Sequence, residues 1–363
     1  MRSPEWVQIS TAAAIGLGMV PGRMYRDACT HCLNLLLTYP DGCRANCTYC
    51  GLARHRESSR QYADRNFIRV DWPTVRYEDV VSAVKDGRDG GKFERMCISM
   101  ITHPAATDDT LALLGKWTAA LPRIPVSILS NPTTLSRSDL EQLREHGADI
   151  FTVALDAATP ELFEQLRGRT VDSPHRWEKY WTTLEWAAEI FGPERFGAHL
   201  ICGLGESEYD LLEACQRIRD MGGHNHLFAF FPEQGSLMEA HPPVDRGRWR
   251  RVQLARFLID YHDARLAEMA FDQAGRVVDF GLDAADLDAL IESNTPFRTS
   301  GCPGSGAPEI SACNRPYGDS PPSDICSFPF PPMSVDIGHI RRQMAGEAIT
   351  TVAEESAGAS KRR

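Results

Sequence analysis

Short apolar runs alternate with amphipathic segments along most of the chain, and this alternation predicts strands that are followed by helices. The apolar runs predict strands at 33–40, 95–101, 125–130, 149–156, 196–205 and 226–232. Helical spacing and capping residues predict helices at 77–87, 108–121, 136–147, from Thr159-Pro160 onward, at 175–192 and at 209–222. Because parallel neighbours need crossover connections, this order implies a parallel sheet. The pattern therefore predicts an α/β fold, a partial TIM-like (β/α)6 barrel.

Two extensions flank the predicted barrel. The expected division is an N-terminal extension at 1–32, a core at 33–270, a C-terminal extension at 271–343 and a flexible tail at 344–363. In the N-terminal extension, Ser10 can cap a short helix. The C-terminal extension is rich in Gly, Pro, Ser and Asn up to about residue 330, so its order must come from something other than secondary structure. A helix is predicted after Met333.

Composition and charge narrow the class of protein. The 363 residues are 42% hydrophobic and 24% charged, as in an ordinary globular protein. No run of about 18 apolar residues is present to span a membrane, and the N-terminus lacks the pattern of a secretory signal. A cytoplasmic location is expected, where clustered thiols among 11 cysteines indicate metal rather than disulfides. The net charge of −10 argues against nucleic acid as a partner.

The segment "CRANCTYC" places Cys43, Cys47 and Cys50 in a C-x3-C-x2-C spacing just after the first predicted strand. The C-terminal ends of barrel strands are where active-site loops gather. Zinc prefers four ligands, whereas a cubane iron–sulfur cluster held by three thiolates keeps one iron open to a substrate or cofactor. The spacing favours an iron–sulfur cluster, with zinc and a plain core role as the alternatives.

This spacing, with Tyr49 before the last cysteine, resembles the radical S-adenosylmethionine superfamily over roughly residues 33–270. The resemblance implies a [4Fe-4S] cluster whose open iron is chelated by S-adenosylmethionine. It further implies that one-electron reduction cleaves this cofactor to a 5′-deoxyadenosyl radical, which abstracts hydrogen from a substrate. Tyr49 would then lie beside the adenine. A small-molecule or carrier-bound substrate and a reductant such as flavodoxin or ferredoxin are the implied partners.

Further marks of the superfamily follow in order. The segment "HLICGLGES" is similar to the G-x-I-x-G-x-x-E pattern at Ile201, Gly203 and Glu206, although His199 stands where the pattern has glycine. The resemblance implies a cofactor contact along this strand. The expected Gly-Gly-Glu-like turn is missing after the second strand, so Ser99 or Thr102 would have to bind the methionine amino group. The resemblance also places Asp156 near the ribose or sulfonium, with a loop or capping carboxylate as the alternative.

The remaining cysteines suggest a second metal site, built where the two extensions meet at the open mouth of the barrel. An auxiliary [4Fe-4S] cluster is predicted on Cys29, Cys32, Cys302 and Cys313. The alternatives are a structural zinc ion on the same ligands, recruitment of Cys326, or the hydroxyl of Ser300. The other thiols are interpreted as small buried hydrophobic residues: Cys97, Cys202 and Cys215.

An auxiliary cluster could donate sulfur to a substrate or accept an electron from it. The segments "GLGESEYDLLEACQRIRDMG" and "LFAFFPEQGSLME" are similar to the biotin synthase and lipoyl synthase group, and "RTSGC" resembles the serine region of lipoyl synthases. That resemblance implies sulfur insertion at unactivated C–H positions. The chain departs from bacterial lipoyl synthase because its N-terminal extension carries only the C-x2-C pair Cys29 and Cys32 instead of three clustered ligands. A radical enzyme with an electron-relay cluster and a noncatalytic metal-binding scaffold remain the alternatives.

Overall fold

The computed structural model describes residues 1–56, 69–87 and 93–346, which form an α/β fold around one large sheet. The sheet has eight strands in the order β3-β1-β2-β4-β5-β6-β7-β8. Its strands are β1 (Trp6–Ile9), β2 (Cys32–Leu37), β3 (Thr74–Arg76), β4 (Arg95–Ser99), β5 (Val126–Ser130), β6 (Ala148–Asp156), β7 (Phe196–Cys202) and β8 (His224–Ala229). A separate two-stranded ribbon joins β9 (Ala270–Phe271) to β10 (Val277–Asp279).

Helices follow most of the strands. They are α1 (Thr11–Gly16), α2 (Tyr77–Lys85), α3 (Ala106–Ala120), α4 (Arg137–Glu145), α5 (Pro160–Arg167), α6 (Trp177–Phe191), α7 (Glu208–Asp220), α8 (Arg246–Tyr261), α9 (Ala284–Glu292) and α10 (Ser334–Ala345). Within the described ranges, none of these helices combines the length and the apolar character needed to cross a bilayer. The predicted tail beyond residue 346 lies outside the described residues.

The six predicted strands are confirmed, and they form the parallel part of the sheet from β2 to β8. The partial (β/α)6 architecture follows from this part. Local capping agrees with the sequence: Ser136 forms a capping box with Asp139 at the start of α4, and Thr159 accepts a hydrogen bond from the Leu162 amide in α5. Gly147, with φ of +100°, ends the turn after α4 in a conformation that favours glycine.

The sequence did not predict the two short strands β1 and β3, of which β3 forms one edge of the sheet. Residues 6–9 pair antiparallel with both β2 and β3, so the N-terminal extension contributes a strand to the main sheet. Val7 and Ile9 are fully buried there, and Ser10 caps the short helix α1 as expected. Both strands are short, and pairing with segments distant in the sequence determines them rather than local periodicity.

The inner face of the parallel sheet carries polar and sulfur-containing side chains instead of a continuous apolar layer. In the register of β2 and β4, Asn34 lies opposite Cys97. His199 and His226 lie opposite each other on β7 and β8. All four side chains are buried. The outer faces of the strands pack beneath the helices in the main apolar core, which includes Trp117. The polar interior is therefore the candidate location of a functional site.

The C-terminal extension lies between β8 and the start of β2. The Leu227 amide donates to Oγ of Ser300 at 2.8 Å, which attaches the extension to β8. The amide of His31 donates to Oδ1 of Asn314 at 3.1 Å, and Nδ2 of Asn314 donates to the Cys29 carbonyl at 2.7 Å. The two extensions therefore meet, but beside the N-terminal end of β2. The sequence predicted this meeting at the open mouth of the barrel instead.

Candidate functional site

Cys43, Cys47 and Cys50 lie in the loop that follows β2, and all three line a cavity of about 170 Å³. The amide of Ala45 donates to Sγ of Cys43, and the amide of Leu52 donates to Sγ of Cys50, each at 3.4 Å. Burial raises the pKa of all three thiols, that of Cys47 to about 12. A bound cation would reverse this effect, because a coordinating thiol loses its proton outright.

The spacing of these three thiols suits a cluster better than a single ion. Within the described ranges, only one group of three His, Cys, Asp or Glu side chains has all its ligand atoms within 4.8 Å, and it is a different group. The ligand atoms of a single Zn²⁺ ion must lie about that close to one another, since each zinc–ligand bond is about 2.0–2.3 Å long. A cubane takes one thiolate per iron and so tolerates wider separations. The donor set at this cavity therefore fits an iron–sulfur cluster.

Tyr49 and Asp156, which the sequence assigned separately, form one hydrogen-bonded unit. The Tyr49 hydroxyl donates to Oδ2 of Asp156 at 2.6 Å, and Nη1 of Arg167 donates to the same oxygen at 2.6 Å. Asp156 holds a left-handed backbone conformation, with φ of +61°, at the end of β6. Tyr49, Asp156 and Arg167 all line the cavity. The hydroxyl of Tyr49 is therefore fixed by the protein itself.

Arg167 is the central residue that the sequence reasoning missed. Its guanidinium is 1% exposed and donates to the Ala154 carbonyl, to Oδ1 of Asn131 and to the Tyr180 hydroxyl in addition to Asp156. In the sequence it ends an amphipathic helix, where a basic residue commonly interacts with the helix dipole. No local sequence pattern indicates that its side chain is buried against β6.

Replacing Arg167 with methionine is expected to lower the free energy of unfolding by about 3–5 kcal/mol, because it leaves the partly buried Asp156 carboxylate without its ion partner. Urea denaturation followed by circular dichroism measures this change. Arg169→Met is the matched control, since Arg169 is exposed, and it should change stability by less than about 0.5 kcal/mol. Equal losses in the two variants would contradict the role assigned to Arg167.

The other predicted cofactor residues divide into two groups. Ser99, Thr102 and Ile201 line the cavity, and their roles toward the cofactor stay predictions. Gly203 and Glu206 do not. Glu206 instead accepts from the amides of Gly203 at 2.8 Å and Leu204 at 2.9 Å, and it pairs with Arg248 at 2.6 Å. Its buried carboxylate therefore holds the turn after β7 in place, and it does not itself line the cavity.

His199, which departs from the superfamily pattern, faces the interior. Its ring stacks on Phe228 with centroids 5.0 Å apart and lies 2.9 Å from Nδ1 of His226 through Nε2. It lines the first cavity and also a second cavity of about 320 Å³. The bulky imidazole therefore occupies space that a glycine would leave open, at the boundary between the two cavities.

A second group of thiols lies deeper in the barrel, and it consists of Cys32, Cys97 and Cys313. Nδ2 of Asn34 donates to Sγ of Cys32 at 3.6 Å and to Sγ of Cys313 at 3.4 Å. A hydrogen bond with Cys32 lowers the pKa of Cys313 to about 6, although burial opposes it. This favours the thiolate form, which binds metal.

Cys302 borders this thiol group without being part of it. Its carbonyl accepts from the amide of Cys313 at 3.4 Å, and an antiparallel bridge pairs Pro303 with Ser311. A negative charge on Cys302 would raise the pKa values of Cys32 and Cys97. The hairpin 302–313 therefore brings both C-terminal thiols into the barrel.

The composition of this group differs from the ligand set expected for the second site, which stays a prediction. Cys97, interpreted as a buried hydrophobic residue, lies with Cys32 and Cys313, whereas Cys29 does not. Sγ of Cys29 instead contacts Nε2 of His31 at 3.7 Å. The cause is the parallel register, which sets Cys97 opposite Asn34, two residues along the same strand face as Cys32.

The alternative ligands considered for the second site also lie elsewhere. The backbone carbonyl of Cys326 accepts from Arg250, and Ser300 is bonded to the backbone of β8. Cys202 and Cys215 are fully buried in the main apolar core, as expected.

The two cavities adjoin, so the two thiol groups face a common interior. Ser99, Leu129, His199 and Phe228 line both cavities. The first cavity reaches Cys43, Cys47 and Cys50, and the second reaches Cys97 and Cys313. Arg315 also lines the second cavity, with its guanidinium 3.7 Å from the centroid of the Phe228 ring. A molecule bound at the shared wall could contact both thiol groups.

Comparison with known proteins adds a family match and several distant structural similarities. The chain is similar to HydG, a maturase of the [FeFe]-hydrogenase, with 15% identity and a TM-score of 0.50 over 69% of this chain and 53% of that chain. It is also similar to methylornithine synthase, PylB, with 16% identity and a TM-score of 0.44 over 63% of this chain and 60% of that chain. The chain therefore spans just over half the length of these structures. At 15% identity the similarity to HydG concerns the fold alone.

No curated protein matches the chain significantly. The sequence model of the radical SAM superfamily matches residues 37–218, which is half of the chain and includes the cysteine loop and strands β4 to β7. The members of this superfamily use a [4Fe-4S] cluster and S-adenosylmethionine. The chain belongs to the radical S-adenosylmethionine superfamily.

Proposed function

We propose that this protein is a radical enzyme that inserts sulfur into an unactivated C–H position of its substrate. In this proposal Cys43, Cys47 and Cys50 hold the cluster that binds S-adenosylmethionine. Cys32, Cys97 and Cys313 hold an auxiliary iron–sulfur cluster, and Cys302 lies beside this group without being one of its ligands. The observation that carries the proposal is the pair of thiol groups facing adjoining cavities of one barrel.

The first cavity suits a cofactor that generates a radical. When bound, the cluster and S-adenosylmethionine supply a 5′-deoxyadenosyl radical, and the protein provides binding, orientation and exclusion of water. Ile201 and Tyr49 offer apolar surface to the adenosine, and Ser99 or Thr102 offers a hydroxyl to the methionine moiety. An external one-electron donor of the flavodoxin or ferredoxin class would complete the reaction in the cytoplasm.

The second cavity suits a substrate with an apolar chain. Leu129 and Phe228 form part of its wall, and both also line the first cavity, so a bound chain would extend from one thiol group toward the other. The auxiliary cluster supplies sulfide when bound, and Asn34 holds two of its thiol ligands. The substrate class that fits is a small molecule or a carrier-bound group with a saturated chain.

An isotope experiment distinguishes sulfur insertion from electron relay. The protein is reconstituted anaerobically with iron and ³⁴S-labelled sulfide, and then incubated with S-adenosylmethionine, dithionite and peptides that carry saturated acyl chains on lysine. Mass spectrometry should find ³⁴S in the peptide. When no further sulfide is supplied, about one labelled peptide or fewer should form per enzyme molecule. A product oxidised without any added sulfur would favour the electron-relay function instead.

A further inference from the structure

Two imidazoles and one thiol converge at the edge of the barrel where the C-terminal extension joins it. His224 and His226 lie two residues apart on β8 and so point to the same face of the sheet. Their ligand nitrogens and Sγ of Cys302 all lie within 4.8 Å of one another. In the ranges that the structure describes, no other three His, Cys, Asp or Glu side chains meet this condition.

The two imidazoles have unsatisfied nitrogens. Nε2 of His224 and Nε2 of His226 have no hydrogen-bond partner in the structure. Both nitrogens are buried, since His224 is 5% exposed and His226 is 1% exposed. A buried polar nitrogen without a partner costs roughly 1–3 kcal/mol. Two such nitrogens beside one thiol indicate a missing partner that accepts electron pairs from all three.

The surrounding residues orient the imidazoles. Nδ1 of His226 lies 2.9 Å from Nε2 of His199, which leaves Nε2 of His226 free to bind a ligand. Metal-binding histidines commonly use their second nitrogen in this way, because the hydrogen bond fixes the ring orientation. Gly197 lies opposite His224 on β7, and a Cβ there would lie 2.3 Å from the His224 carbonyl oxygen and 3.3 Å from Cδ2 of its ring, so a larger residue would disturb this histidine.

From this geometry we propose that His224, His226 and Cys302 bind a single Zn²⁺ ion. Two imidazole nitrogens and one thiolate sulfur are ligands that zinc prefers, and their compact arrangement suits one ion rather than separate corners of a cubane. A solvent molecule or a further side chain would complete the tetrahedral coordination. The proposal concerns residues that the radical chemistry does not use and does not depend on sulfur insertion.

The ion would tie the C-terminal extension to the barrel. His224 and His226 belong to β8, whereas Cys302 belongs to the hairpin that also carries Cys313. Binding one ion across these segments would hold the hairpin in place and with it the thiol of Cys313. The auxiliary cluster would then rest on Cys32, Cys97 and Cys313, with Cys302 committed to zinc.

Metal analysis of the full-length protein tests the proposal. After anaerobic reconstitution with iron and sulfide, addition of Zn²⁺ and removal of loose metal, the parent should hold about one zinc per chain. The double variant His224→Ala/His226→Ala should lose it, while Cys215→Ala, a buried thiol in the apolar core, should keep it. Zinc K-edge absorption spectra should show two nitrogens at about 2.0–2.1 Å and one sulfur at about 2.3 Å.

A milder variant guards against misfolding of the double variant. In chelator-treated protein, added Zn²⁺ should raise the melting temperature of the parent and of Cys215→Ala, but not that of His226→Gln. Zinc retained by both histidine variants, or zinc surrounded mainly by sulfur, would overturn the proposal. Cleavage of S-adenosylmethionine at the parent rate in His226→Gln would separate this site from the cluster on Cys43, Cys47 and Cys50, whose loss would abolish that cleavage.

Discussion

Replacing Cys43, Cys47 or Cys50 with alanine should reduce the formation of 5′-deoxyadenosine to the background of a reaction without enzyme. These three thiols line the same cavity in the loop after β2, and each would hold one iron of the cluster. A cluster with two protein ligands would be lost or damaged. The triple variant should hold about four irons fewer per chain than the parent.

Chromatography of 5′-deoxyadenosine and assays of iron and sulfide measure this effect after anaerobic reconstitution. Cys215→Ala is the matched control, because Cys215 is a buried thiol in the apolar core, away from both thiol groups. It should retain the iron content and the activity of the parent. Normal turnover in any one of the three loop variants would contradict the assignment of these cysteines.

Replacing Cys97 with alanine should remove the auxiliary cluster but leave the first cluster intact. Cys97 packs with Cys32 and Cys313, whereas the Cys43, Cys47 and Cys50 group lies at the opposite end of the strands. The variant should therefore lose about half of the iron and sulfide of a protein with two cubanes. It should still form 5′-deoxyadenosine in an uncoupled reaction, without any sulfur-containing product.

Cys29→Ala is the informative comparison for Cys97→Ala. Cys29 does not pack with this thiol group, and its Sγ lies beside Nε2 of His31. The Cys29→Ala variant should therefore keep the full iron and sulfide content. Mössbauer spectra would count the clusters in both variants. Loss of the auxiliary cluster in Cys29→Ala, with retention in Cys97→Ala, would restore the ligand set expected from the sequence.

The periodicity of the chain was sufficient to predict the six parallel strands and the helices between them. Ser136 and Thr159 cap their helices because a capping bond joins residues three positions apart, which a local pattern can reveal. The spacing of Cys43, Cys47 and Cys50 is local in the same sense, since all three lie within one loop. The superfamily could be recognised from that loop for this reason.

Tertiary structure decided the composition of the inner sites. Cys32 and Cys97 lie together because of the register of two parallel strands, and Cys313 joins them because a C-terminal hairpin packs beside β2. The position of Arg167 beneath Asp156 likewise depends on how α5 packs against β6.

Sequence determined the elements and the first cysteine loop, because hydrophobic spacing, capping and short ligand motifs act over a few residues. The structure alone decided that Cys97 replaces Cys29 in the deeper thiol group, and that His224 and His226 meet Cys302. These contacts join segments far apart in the chain. Strand register and the path of an irregular extension determine such contacts, and both depend on packing across the whole sheet.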